Sequence, residues 1–363
     1  MTDIRSDPER IDEVWMTELL TDAGVADGAK VTDVDFAGWI GTGQTGANGR
    51  FHLTWDSPDG RPASIVGKFP SRDDKARGEA FAGGTYAKEY LFYEHVAPTI
   101  RTRTPTCHVA AFDPEGQDFM LWLEDLSASD QGDQLEGLDA ARLSLALEQL
   151  VGLHAPRFGE EGLDACFGPT LPVMAADQAA MGAQMLYSMM LPGFLERLGH
   201  RLDPDVAQVA QDFAPLVGNW VLAGQDRPAT VIHMDYRADN LLFGTSDDAP
   251  PLVVVDWQTC AVGPGGSDVA YLISGSFADA TERAAHERDF VEQYREQMVA
   301  AGASMTADEC WLDYRHGSLW GLVITVIATM QAAETERGND MLTAMAQRHG
   351  RQAIDLEALA LLA

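Results

Sequence analysis

One stretch constrains the chain more than any other. It runs Val-Ile-His233-Met-Asp235-Tyr-Arg237-Ala-Asp-Asn240-Leu-Leu-Phe, then a short polar turn, then Pro-Leu-Val-Val-Val-Asp256-Trp-Gln-Thr. His233, Asp235 and Asn240 fit H-x-D-x-x-x-x-N, and Asp256 follows Asn240 by sixteen positions at the end of an apolar run. The apolar runs 241–243 and 252–255, joined by Gly-Thr-Ser-Asp-Asp, predict a hairpin. Such a hairpin sets Asn240 at the mouth of one strand and Asp256 at the end of the other, where both oxygens can reach one hard cation. Together the residues have the pattern of a phosphoryl-transfer centre. One carboxylate accepts the proton of an attacking hydroxyl, while an amide and a second carboxylate hold magnesium on ATP phosphates. A lone H-x-D is usually a satisfied loop pair, and a lone Asp after Val-Val-Val a turn residue; the set carries the reading.

Upstream, residues 31–40 and 50–55 read as strands flanking Gly41-Thr-Gly43-Gln-Thr-Gly46-Ala-Asn-Gly49. A glycine-rich loop lets backbone amides approach phosphates, although most such loops are only turns. The next strand, 63–69, carries Lys68 among apolar neighbours, where an ammonium is costly unless paired. Glu89 lies on a helical stretch twenty-one positions later and is the better-placed partner, with Glu94 the second candidate. The plain alternative is a lysine at a strand edge reaching water. A hairpin over 109–112 and 119–123 leads into Glu124-Asp-Leu126 and a polar run at 127–136, the sharpest composition shift in the chain. This divides the sequence into an ATP-binding lobe (1–123), a hinge (124–127) whose backbone about Glu124 and Leu126 meets an adenine edge, and a catalytic and substrate-binding lobe (128–363).

The remainder is helical: 11–26 before the first strand, then 138–154, 174–199, 203–223, 278–301 and further helices from 306. His154 reads as a core-edge residue rather than a catalytic one. The methionines 174, 181, 185, 189 and 190 read as adaptable core, with the wall of an apolar pocket as the alternative. A chain of 363 residues can bury the cores of two lobes. Its 56 acidic and 25 basic residues give a net charge of −31. That excess repels phosphate backbones and anionic lipid, which excludes nucleic acid and membrane partners. It serves solubility, or draws a cationic substrate. Four scattered cysteines and an acidic N-terminus predict a reduced, cytoplasmic protein. The longest apolar run, 320–330, is too short to span a bilayer and predicts a buried helix.

The ordered set comprises the Gly41 to Gly46 loop, Lys68 with Glu89, Leu123-Glu-Asp-Leu126, the His233 to Asn240 motif, Asp256-Trp-Gln and Asp268-Val-Ala. Over residues 36–275 it resembles the aminoglycoside phosphotransferase and ecdysteroid-kinase-like group of small-molecule kinases. The resemblance implies an α+β, bilobal protein-kinase-like fold, with an antiparallel sheet plus helix in the N-terminal lobe and a mainly helical C-terminal lobe. It also implies ATP- and magnesium-dependent phosphorylation of a hydroxyl. By the same resemblance, Asp235 is the base and Arg237 reaches the transferred phosphate or a helix end. Asn240 and Asp256 bind magnesium. Lys68, held by Glu89, grips the α- and β-phosphates beneath Gly41, Gly43 and Gly46, while His233 and Asp268 brace the loop.

Met234 stands where relatives usually carry glycine, and Trp257-Gln258 where protein kinases carry Phe-Gly. Only twelve positions separate Asp256 from Asp268, and no Ala-Pro-Glu follows, so a peptide-docking segment has no room. The other readings are a catalytically silent nucleotide-binding module and an aminoglycoside kinase. Helices at 174–200 and 306–335 are expected to build the acceptor pocket. There Met185, Met189, Trp311, Trp320 and Ile324 suit an apolar body, and Asp308, Glu309 and Asp313 could meet amines. The ecdysteroid-kinase-like side of the resemblance implies a large, weakly charged alcohol such as a steroid, a terpenoid or a hydroxyacyl compound.

Overall fold

The computed structural model describes residues 3–41, 45–167 and 175–362; Gly43 and Met174 lie outside them. Five strands form an antiparallel sheet in the order β1-β2-β3-β5-β4: β1 (Val31–Ile40), β2 (Gly46–Trp55), β3 (Ser64–Pro70), β4 (Cys107–Asp113) and β5 (Asp118–Glu124). The pattern of side chains explains the order. β3 is apolar on both faces and takes the centre, whereas β1 alternates and takes an edge. Helix α1 (Glu13–Asp22), capped by Asp12, lays Trp15, Met16, Leu19 and Leu20 on one face against Phe51, Ile65, Phe69 and Trp122.

Helices α2 (Asp74–Ala82) and α3 (Thr85–Leu91) cover the other face, where Tyr86 and Leu91 meet Phe119, Leu121 and Leu123. Lys68 is the cross-strand partner of Leu121. Directly paired residues share a face, so the lysine projects toward α3.

After β5 the chain becomes helical. β6 (Ser129–Gln131) pairs with β8 (Leu241–Gly244), β8 with β9 (Leu252–Val254), and β7 (Ala229–Ile232) with β10 (Ala261–Pro264). The expected hairpin is therefore present, in the register Leu241 to Val254. The helices are α4 (Ala140–His154), α5 (Ala176–Leu198), α6 (Pro204–Phe213), α7 (Val217–Gln225), α8 (Gly266–Ser276), α9 (Ala280–Ala300), α10 (Ala307–Gln331) and α11 (Glu336–Asp355). One core joins the halves, running from Tyr86, Phe92 and Leu121 through Leu143 and Leu147 to Val254 and Trp257. At its middle the Phe92 and Trp257 rings stack at 3.9 Å.

Several expectations are corrected. β2 begins at Gly46 rather than Arg50, because the small residues 46–49 pair with β3 and leave a shorter loop. Residues 203–223 are two helices rather than one, divided by a 3₁₀ turn at Ala214–Leu216 that carries Pro215. Of the described residues of the methionine stripe only Met190 packs against the core: Met181, Met185 and Met189 are 72%, 70% and 68% exposed, while α5 buries Tyr187, Leu191 and Phe194. No helix among the described residues is long and apolar enough to cross a membrane.

Candidate active site

Two groups of side chains meet where the sheet faces the β7–β10 region. The first centres on Lys68, which is 7% exposed. Its Nζ lies 2.7 Å from Glu89 Oε1 and 3.0 Å from Asp256 Oδ1. Its partner is thus Glu89 on α3 and not Glu94, which points to solvent. Burial opposes the ammonium, but the charges of Asp256 and Glu89 outweigh it and raise the Lys68 pKa. Burial also tends to raise Asp256, yet Lys68, with His233 and Arg237, holds it below the usual carboxylate range. Glu89, the more enclosed carboxylate, is shifted upward by burial. Gly46 adjoins this group: a Cβ there would sit 3.3 Å from Lys68 Cε and from the Phe69 carbonyl. Gly41, at the end of β1, has φ +73°, a conformation suited to glycine.

The second group surrounds Asp235, three residues past the end of β7. Asn240 Nδ2 donates to its backbone oxygen at 2.8 Å and to Oδ2 at 3.0 Å. Arg237 Nε lies 3.1 Å from Oδ1, and the same guanidinium pairs with Asp239. The Tyr271 hydroxyl, from α8, donates to Oδ1 at 3.3 Å. The groups are tied by the Val255 amide, which donates to the Asn240 carbonyl at 3.0 Å. Asp256 itself adopts φ +67°, uncommon for a non-glycine residue and held here by Lys68 and by Gln258 at 3.3 Å.

Asp268 on α8 accepts the His233 amide at 2.6 Å and the Met234 amide at 2.9 Å. Met234 has φ +71°, so the turn keeps a glycine-like backbone without glycine. Trp320 holds it from the other side, with Nε1 2.7 Å from the Met234 carbonyl. His233 bonds the Val255 carbonyl through Nε2 at 3.0 Å. His154 is fully buried, bridging Tyr294 at 2.8 Å and Asp268 at 3.3 Å. It supports the loop from behind rather than lying at the core's edge.

Glu124 and Leu126 lie at the end of β5 and just beyond it. The Glu124 carboxylate is clamped by Arg103 at 2.7 Å, its amide donates to Thr106, and the Leu126 carbonyl accepts from Ser129. Between them Asp125, unremarked in the sequence, ties the segment to β2 and β3 through Arg50 at 3.0 Å and Ser64 at 2.7 Å. Tyr271 is the other missed residue. No motif marks it; only its place one helical turn after Asp268 could have raised it. Of the acids proposed for amines, Glu309 closes the capping box of α10 with Thr306, and Asp313 is bonded to the Gly266 amide at 2.8 Å beside Arg227.

The sequence matches the phosphotransferase enzyme family, APH, over residues 65–303. No curated protein matches it significantly. Among solved structures, a Ralstonia eutropha JMP134 protein described as an aminoglycoside phosphotransferase is similar at TM-score 0.52 and 15% identity, covering 93% of this chain and 98% of that one. Plasmodium vivax ethanolamine kinase is similar at TM-score 0.50 and 8% identity, with 99% and 91% covered. An APH(2″) enzyme in complex with GDP and kanamycin is similar at TM-score 0.50 and 13% identity, with 94% and 97% covered. These likenesses carry the bilobal protein-kinase-like architecture. The chain belongs to the phosphotransferase enzyme family.

Proposed function

We propose that the protein transfers a phosphoryl group from magnesium-bound ATP to the hydroxyl of a weakly charged alcohol. The reaction would take place between an N-terminal lobe (1–123) and a C-terminal lobe (128–363) joined by residues 124–127. The observation that carries this reading is Lys68 bridging Glu89 and Asp256, with Asp235 and Asn240 on the adjoining loop. Lys68 would neutralise phosphate oxygens, oriented for that by Glu89. Asp235, fixed by Asn240 and Tyr271, would accept the acceptor's proton, and Arg237 would face the charge that develops on the transferred group.

The oxygens also suit magnesium. Asn240 uses its Nδ2 toward Asp235, which leaves Oδ1 to accept, and Asp256 Oδ2 receives only the 3.3 Å contact from Gln258. Among the described residues no cluster of three or more His, Cys, Asp or Glu could hold a metal alone. Two protein oxygens supplemented by phosphates and water are the usual magnesium arrangement. When bound, the ion would neutralise charge on the phosphates.

An alcohol is favoured over an aminoglycoside because the loop bearing Asp235 is backed by Trp320, which stacks on Trp220, while Glu309 and Asp313 are engaged elsewhere. At 8% and 13% identity, the similarity to an ethanolamine kinase and to a kanamycin-bound enzyme bears on the fold and not on the acceptor. The test is ADP release with magnesium ATP across a panel of hydroxyl-bearing metabolites. Steroid, terpenoid or hydroxyacyl alcohols should stimulate turnover, and Asp235→Asn should abolish it. Turnover with polyamine alcohols alone would reverse the assignment of the acceptor, and undiminished transfer by Asp235→Asn would remove the assigned base.

A further inference from the structure

A cavity of about 330 Å³ opens between the end of α8, the start of α9 and α11. Its lining includes Ser274, Arg283, Arg348 and Arg351, a concentration of cations in a chain of net charge −31. Three of these residues carry an unmet interaction. Arg348 gives its guanidinium to the carbonyls of Gln134, Leu135 and Gly275 at 2.7 to 2.8 Å, yet no carboxylate lies within ion-pair distance among the described residues. Arg283 is 2% exposed; it pairs with Asp355 and approaches Glu287, but its Nη1 has no acceptor. Ser274 is fully buried on α8, and its hydroxyl has no partner.

A buried cation and buried donors are costly when unmatched. A negatively charged acceptor would satisfy all three at once. The carboxylates at the rim are already engaged. Asp279 caps α9 through the amides of Thr281 and Glu282, and Asp203 faces Gln347 and Arg351. Phe277 and Ala278 add an apolar wall.

We propose that this cavity binds phosphate, free or as the head of a small phosphomonoester, with Arg283, Arg348 and the Ser274 hydroxyl as its donors. Guanidinium groups match phosphate oxygens in geometry and charge, and a cavity of this size admits a small organic body behind the head. The site is separate from the nucleotide pocket, and its existence does not depend on the assignment of that pocket.

The experiment is calorimetric titration of the full-length protein with inorganic phosphate and with phenyl phosphate, each against chloride at equal ionic strength. Saturable phosphate binding is expected in wild type and, unchanged, in Lys68→Met, which removes the cation that would hold phosphate at the nucleotide pocket. Ser274→Ala and Arg283→Lys should each weaken it by about tenfold, the loss of one charge-assisted hydrogen bond. Arg348→Gln should abolish it, and the two milder variants decide the matter if that protein does not fold. Tighter binding of phenyl phosphate identifies a phosphomonoester, and equal binding identifies free phosphate. The proposal is overturned if phosphate acts no differently from chloride, or if binding disappears in Lys68→Met while surviving in Ser274→Ala and Arg283→Lys.

Discussion

Asp235 is held from three sides, by Asn240, Arg237 and Tyr271, and only the first two belong to its own loop. Burial pushes the Tyr271 phenol well above its ordinary pKa, so it stays a neutral donor to the carboxylate. Tyr271→Phe keeps the ring, including its stacking on His349, and removes that donor. The expected result is a kcat about tenfold lower with little change in acceptor KM, measured by steady-state kinetics beside a melting curve that does not move. A second prediction concerns Lys68. Replacing it with Met leaves the buried Glu89 and the half-buried Asp256 without their cation, so Lys68→Met should lose about 3 kcal/mol in denaturant unfolding as well as nucleotide binding. At this scale the clustering of the motif residues was legible, because the chemistry proposed for them would fix their type and spacing. Tyr271 was not, since its role comes from how α8 packs against the loop. Asp125 likewise acquires its role only from strands that precede it by more than sixty positions.

Helix α8 sets the geometry of the loop that carries Asp235. All eleven of its positions are buried; Asp268 holds two loop amides and Tyr271 reaches Asp235, the proposed base. Its start is pressed against α10, where a Cβ on Gly317 would lie 2.2 Å from the Gly266 carbonyl oxygen. Gly317→Ala should therefore push the helices apart and destabilise the protein by about 2–3 kcal/mol, read from its denaturation midpoint. Phosphoryl transfer should fall with it, because Asp268 travels with α8. The sheet and its hairpins were legible from alternating apolar residues and turn composition. The break at Ala214–Leu216 was not, because the apolar periodicity continues on both sides of Pro215. Three of the α5 methionines were misread for a related reason. That helix carries two apolar stripes, and only the packing of its neighbours decides that Tyr187, Leu191 and Phe194 go inward while Met181, Met185 and Met189 face water.

Across the whole molecule, stability should fall with acid through two histidines, one on α10 and one on α11. His316 and His349 are buried, and burial lowers their pKa values to about 4 and about 3; the charges of Arg348 and Arg283 act further on His349. The unfolded chain binds protons on these rings below about pH 6.5, and the folded one does not until lower pH. Their contribution is therefore complete above that value and is lost as pH falls, by ~1.4 kcal/mol per histidine at about pH 5.5. Melting temperature against pH should show this decline, and His349→Gln should flatten it. The central claim is that Lys68 and Asp256, brought from either half of the chain, form one magnesium-nucleotide pocket beside Asp235. Its most direct test is the melting temperature with magnesium and a non-hydrolysable ATP analogue. Wild type and Asp235→Asn should be stabilised alike, whereas Asp256→Asn and Lys68→Met should gain nothing. An undiminished shift in both of those variants would contradict the account.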